Sequence, residues 1–198
     1  PAGAPAAPAR AEAPAADKAL GVADLKGLLL SPRESAAALD KPGTVATAKV
    51  GNAATELMPD AALAGNPLCQ AMNLDGIESA YRGTGYTGAR TLYTGNKSDQ
   101  IEAQWLLSQT VVAYPSAKAA GDALGTLLNA WHGCEKPFTT VEKGQSGPTN
   151  VTWTPGSVDV ADGLATVMVT QEGGEGWGCW RGLTTVANVV VDFSACGA

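Results

Sequence analysis

One histidine stands in 198 residues, and that scarcity excludes much chemistry. His132 lies two residues before Cys134 with no second close ligand pair, so a tetrahedral zinc site has no frame. A serine triad would have to use His132, and no G-x-S-x-G nucleophile elbow is present. A Cys–His pair of His132 with Cys134 is disfavoured, because neighbours at a helix end do not converge. No C-x-x-C spacing and no D-x-D-x-D-G calcium loop occurs. No stretch of 18 apolar residues exists, so no membrane-spanning helix is predicted. Basic residues are few, 13 against 19 acidic, for a net charge of −6. That disfavours nucleic acid or an anionic bilayer as a partner. The glycine-rich stretch 172–178 lacks the Lys-Ser/Thr pair of a phosphate cradle, precedes a strand, and carries two glutamates; it reads as a turn.

What is present suits one folded unit. Hydrophobic residues make up 45% and charged ones 16%, which supports a sizeable core. Residues 1–17 are Pro/Ala-rich, without aromatic or β-branched side chains, and read as a disordered tether. This segment lacks the apolar core of a signal peptide but suits what remains after one is removed. Residues 18–198 form the domain.

The stretch Trp177 to Gly197 organises the reading. Cys179 and Cys196 are centred on Ala187-Asn188. Strands 179–186 and 189–196 around that two-residue turn pair Val186 with Val189 and bring Cys179 opposite Cys196. The cysteine pair then falls in the non-hydrogen-bonded class, with Cα atoms about 4.5 Å apart, which a disulfide accepts. Trp180, Val186, Val189, Val191 and Phe193 share one face; Cys179, Arg181, Thr185, Asp192 and Ser194 share the other. Ala-Asn is a poor primed turn, because alanine disfavours positive φ. Cys69 and Cys134 are left for each other. Two disulfides indicate an oxidising, extracytoplasmic compartment.

Upstream, Leu20, Val22, Leu25, Leu28 and Leu29 recur at helical spacing. Ser31, Pro32 and Glu34 predict a capped second helix running to about Leu39. Residues 41–66 give no clear element. A short segment covers Leu74–Tyr81, and Ala89–Tyr93 is a strand followed by a turn at 96–99. In Ile101–Ala113 the residues Ile101, Ala103, Trp105, Leu107, Val111 and Ala113 share a face, with Gln109 as the exception. Ala120, Leu124, Leu127, Leu128 and Trp131 then form the stripe of a helix over 115–132 ending at Gly133. The remainder is strand and turn: 138–141, 149–154, a type II turn signature at 154–157, 158–160 and 164–171. The fold class is α+β, a twisted antiparallel sheet whose C-terminal part is a meander, with helices packed on it.

Candidate carboxylate pairs, Asp159 with Asp162 and Glu172 with Glu175, bracket turns, where solvated acids are ordinary. Asn96 and Asn150 each begin a glycosylation sequon. Five tryptophans and Tyr81, Tyr86, Tyr93 and Tyr114 are mostly core, and some suit a small-molecule cleft. Tyr86, Arg90, Trp105 and Arg181 are the ligand-binding candidates. No catalytic residue, metal or cofactor is expected.

The strings SQTVVAYPSAKAA, LLNAW and HGC, joined to GWGCWRG and NVVVDFSAC, resemble the PknH-like extracellular sensor domains. Those domains belong to a mycobacterial serine/threonine kinase and to a group of mycobacterial lipoproteins. The resemblance covers roughly residues 20–197. It implies a two-disulfide α+β domain outside the membrane, paired Cys69–Cys134 and Cys179–Cys196, with a central cleft for an unidentified ligand. It assigns no catalytic residues. The resulting expectation is a non-enzymatic, monomeric sensor-like domain of a cell-envelope lipoprotein. Its partner would be a small molecule or an envelope component, and its only membrane contact an N-terminal lipid anchor outside this chain. The alternatives are a cleft hydrolase using paired carboxylates and a protein-interaction module.

Overall fold

The structure is a computed structural model of the 198-residue chain; it describes residues 19–41, 47–50, 57–58, 67–96, 103–144 and 147–198. Among these, nine strands form one sheet: β1 (Thr47–Val50), β2 (Gly88–Gly95), β3 (Trp105–Ala113), β4 (Phe138–Gly144), β5 (Gly147–Pro155), β6 (Asp159–Ala161), β7 (Leu164–Gln171), β8 (Gly178–Val186) and β9 (Val189–Gly197). The order across the sheet is β1-β2-β3-β9-β8-β7-β5-β4, with β6 also pairing β7, and every pairing is antiparallel. The sheet curls into a half-barrel, and the fold is α+β with two disulfides.

The β8–β9 hairpin has the register read from the cysteine spacing: Val186 opposes Val189, and Cys179 opposes Cys196 at a Cα separation of 4.0 Å, joined as a disulfide. Ala187 adopts φ 52°, the conformation its side chain resists. Asn188 holds it there. Its side-chain amide donates to the carbonyls of Tyr114 at 2.6 Å and Leu20 at 2.9 Å, and its oxygen accepts from the Leu20 N–H at 2.8 Å.

One face of the sheet, called inner here, is covered by three helices: α2 (Pro67–Asn73), α3 (Glu78–Tyr81) and α4 (Ala117–His132). Ser116 caps α4, accepting from the Ala119 N–H at 3.1 Å. Its buried stripe is Ala120, Ala123, Leu127 and Trp131, with Leu124 and Leu128 half-buried. The Trp131 indole donates to the Ala71 carbonyl at 3.1 Å, and Cys69–Cys134 ties α2 to the end of α4. Pro67 opens α2, where its missing N–H is free of cost.

The outer face is covered at one end by the segment 19–41. Leu25 packs on Val111, Ala113 and Val189. Only Leu25–Leu28 of the expected first helix forms, as one turn of 3-10 helix. The chain there is held by side chains instead: Asn188 binds the backbone of Leu20, and Gln109 binds both the N–H (2.9 Å) and the carbonyl (3.3 Å) of Leu30. Gln109, the exception in the apolar face of β3, is thus the clasp for this segment. The next helix, α1 (Pro32–Ala38), has the predicted capping box between Ser31 and Glu34.

The 154–157 stretch does not reverse the chain. β5 and β6 lie along the same edge of β7, and the Gly156 N–H between them donates to the Met168 carbonyl at 2.7 Å. Pro155 and Gly156 therefore interrupt an edge, a position where proline costs little. Of the predicted 96–99 turn, 97–99 lie outside the described residues, as do the 1–17 tether, Ile101 and most of 41–66.

Candidate functional site

Alternation on the central strands sends Thr91 and Tyr93 (β2), Ser108 and Thr110 (β3), Asp192 and Ser194 (β9) and Arg181 (β8) to the inner face. The face that the helices bury thus carries a polar cluster set within the main apolar core, which includes Val112, Val167, Val169, Leu183 and Val190. At its centre Arg181 is 0% exposed, Asp192 3% and Asp75, from the α2–α3 connection, 2%. Arg181 donates through Nε to the Met72 carbonyl (3.2 Å), through Nη1 to that of Phe193 (3.0 Å), and through Nη2 to Asp192 Oδ1 (2.6 Å) and the Ala71 carbonyl (3.4 Å). Asp75 Oδ1 lies 3.6 Å from Nη1, and the guanidinium sits 5.7 Å from the centre of the Trp131 ring.

The remaining carboxylate oxygens are also occupied. Asp192 Oδ2 accepts from the Gly76 N–H (3.0 Å) and the Tyr81 hydroxyl (2.8 Å). Asp75 Oδ2 accepts from Ser108 (2.7 Å) and Thr110 (2.8 Å). Gly76 has φ 65°, and a Cβ there would come within 2.5 Å of Thr110 Oγ1. Only glycine brings this N–H to the carboxylate.

Burial raises Asp192 to about 6 from 3.8; the Arg181 guanidinium opposes the rise and the Asp75 carboxylate adds to it. Burial, with Asp192 beside it, also pushes the Tyr81 phenol well above its ordinary value, and burial does the same to Tyr93. Two carboxylates share one guanidinium in a water-excluded space, so one of them is poorly compensated.

The outer face of β2 and β3 has a different character. Arg90 Nε, Thr94 Oγ1 and Trp105 Nε1 are buried and find no hydrogen-bond partner among the described residues. Thr94 is 0% exposed and Trp105 3%. Register puts all three on one face: Arg90 opposes Val111 and Thr94 opposes Leu107, two residues along from Trp105. A buried donor without an acceptor costs about 1–3 kcal/mol.

The four ligand-binding candidates are therefore not brought together. Arg90 and Trp105 share the outer face, and Arg181 lies on the inner face with all three nitrogens hydrogen-bonded within the protein. That fixes it as an internal tie, unavailable to a ligand. Tyr86 is half-buried in the loop before β2 and packs on the inner core. Asp75, Ser108, Thr110 and Thr94 were not singled out in the sequence, and Tyr81 was read only as one of the aromatic residues of the core or a cleft. Ser108 and Thr110 alternating with apolar Leu107 and Val111 were the available sign of a polar face. His132 is exposed, 3.6 Å from Glu135 Oε1. Among the described residues no cluster of three metal-binding side chains occurs.

The PknH-like extracellular domain family model matches residues 20–198. The serine/threonine-protein kinase PknH of Mycobacterium bovis is 33% identical over 178 residues, 87% of this chain and 28% of the kinase. The Mycobacterium tuberculosis kinase of the same name is also 33% identical, over 87% of this chain and 26% of its own length. The chain thus spans about a quarter of the curated relatives it matches. The crystal structure of the extracellular domain of PknH from Mycobacterium tuberculosis superposes with a TM-score of 0.77 at 29% identity, covering 91% of this chain and 88% of that one. With the sheet, the helices and the family match in agreement, this chain belongs to the PknH-like extracellular domain family.

Proposed function

We propose that the chain is an extracytoplasmic, non-enzymatic ligand-binding domain of the sensor type, and that its ligand presents hydrogen-bond acceptors to the outer face of β2 and β3. The observation that carries this reading is the set of unpaired donors, Arg90 Nε, Thr94 Oγ1 and Trp105 Nε1, on one sheet face. A bound acceptor relieves a desolvation cost already incurred, which favours occupancy. The two disulfides and the family's extracellular domains support the compartment. The Pro/Ala-rich segment 1–17 suits a tether, and attachment through an N-terminal lipid is the finer form of this proposal.

Among the described residues the Asp75–Asp192 pair is the arrangement that favours a hydrolase, since a buried carboxylate whose pKa is raised, as that of Asp192 is, beside a second carboxylate is what acid–base catalysis uses. Against it, both side chains are sealed beneath α2 and α3 and every oxygen is engaged. Native mass spectrometry of protein taken from its own envelope tests the binding reading. A co-purified mass is expected, reduced in Arg90→Met and in Trp105→Phe, which removes one N–H and keeps a ring. Protein that carries no ligand, or variants that retain it fully, would overturn the proposal.

A further inference from the structure

From Gly144 to the last residue the chain contains one basic side chain, Arg181, and five acidic ones. Arg181 is 0% exposed and Asp192 is buried against it. Among the described residues of this C-terminal part, Asp159, Asp162, Glu172 and Glu175 are all exposed and no exposed basic side chain accompanies them. The acids frame apolar side chains on the outer face of β7, β8 and β9. Trp180 is 55% exposed and stands opposite Met168; Val186 is 62% and Leu164 37% exposed. Phe193 completes the strip, its ring over Gly182, where a Cβ would meet it at 2.1 Å.

The acids lie at both ends and along the edge of this strip. Asp159 opposes Thr166 on the same face. Asp162 is in the β6–β7 turn, two residues before Leu164. Glu172, at the far end of β7, accepts from the Thr154 hydroxyl at 3.2 Å, and Thr154 is on the outer face opposite Thr170. Residues 164 and 172 are eight strand steps apart, about 26 Å.

We infer that the outer face of β7, β8 and β9 docks an extended, cationic and apolar segment of a partner protein. Exposed tryptophan with apolar neighbours is the composition of an interaction surface. The charge selects the partner: anionic bilayers and nucleic acids are repelled, and two copies meeting face to face would set acids against acids. The distance between the acidic ends selects a chain of about eight residues over a small molecule.

The test uses the full 198-residue chain, isotope-labelled, titrated with a synthetic peptide of about ten residues carrying lysines at both ends and apolar residues between. Control peptides replace the lysines by glutamate or the apolar residues by serine. Resonance shifts are expected on the outer face between residues 159 and 193, with affinity falling as salt rises. Trp180→Ser alone, and Asp159→Asn, Asp162→Asn, Glu172→Gln and Glu175→Gln together, should each weaken binding by about tenfold with the melting temperature unchanged. The inference is overturned if the glutamate or serine peptide binds as well, if the shifts fall elsewhere, if Trp180→Ser binds normally, or if sedimentation shows this face closed in a dimer of the chain.

Discussion

Asp192 should make the domain more stable in mild acid than at neutrality. Its folded-state value of about 6 is raised above 3.8 chiefly by burial. A group with a raised folded pKa contributes stability that is fully present below its unfolded value. That stability is lost as pH climbs through the folded one. The window is therefore from about pH 4 to pH 6–7. A rise of about two pH units corresponds to about 3 kcal/mol, or about 6–10 °C in melting temperature for a domain of this size. The perturbation is Asp192→Asn, which has no proton to gain.

The assay is thermal unfolding of both proteins, disulfides intact, between pH 4 and pH 7.5. Asparagine sets its amide against either Arg181 or the Gly76 N–H, so the variant carries a constant deficit at every pH. The diagnostic is the slope: the wild-type advantage should shrink by about 3 kcal/mol across the window. Exposed groups such as Glu34, held low by its hydrogen bonds with Ser31, titrate in both proteins and cancel. A difference that stays flat from pH 4 to pH 7.5 would refute the two-carboxylates-to-one-guanidinium account of the inner face.

Arg181→Met should cost about 3–5 kcal/mol in denaturant unfolding, because it strands Asp75 and Asp192 without a counter-charge; a near-neutral result would mean the pair ionises little. Replacing Cys69 and Cys134 together by serine should cost about 4 kcal/mol, and Cys179 with Cys196 about 3, following closed loops of 65 and 17 residues. Equal losses would show that the chain-entropy argument does not govern these bridges. Ala187→Gly should stabilise the hairpin by about 1 kcal/mol, because φ 52° strains alanine; any destabilisation would show that Asn188 alone determines the turn.

Much of the sheet was legible because its signals are local. Seventeen residues separate Cys179 from Cys196, and their midpoint names the turn. Ser31, Pro32 and Glu34 spell a helix start within four residues. Gln109 breaks the alternation of β3 at the point where the chain at Leu30 is clasped.

The buried polar cluster within the inner face was not legible. Trp180, Val186, Val189, Val191 and Phe193 form the more apolar face of the hairpin, yet Trp180 and Val186 are exposed there. The helices instead cover Arg181 and Asp192. That choice depends on Asp75, Gly76 and Tyr81, a hundred residues or more upstream of Arg181 and Asp192 in a segment with no strong period. Arg181 read as a ligand-facing cation for the same reason: its partners are backbone carbonyls and distant carboxylates, which no spacing rule reaches. Arg90 and Trp105 differ from it in that Arg90 Nε and Trp105 Nε1 find no acceptor among the described residues.

Trp105 supplies the most direct test of the ligand-binding claim. The five indole N–H resonances of the full chain can be followed as fractionated envelope extract is added. Trp131 and Trp153 already donate, to the Ala71 carbonyl and to Thr140 at 3.1 Å each, and serve as internal controls. The account predicts that the Trp105 indole proton moves downfield and exchanges more slowly while those two stay in place. A Trp105 signal that stays put while the controls shift, or that is already hydrogen-bonded without ligand, would contradict it.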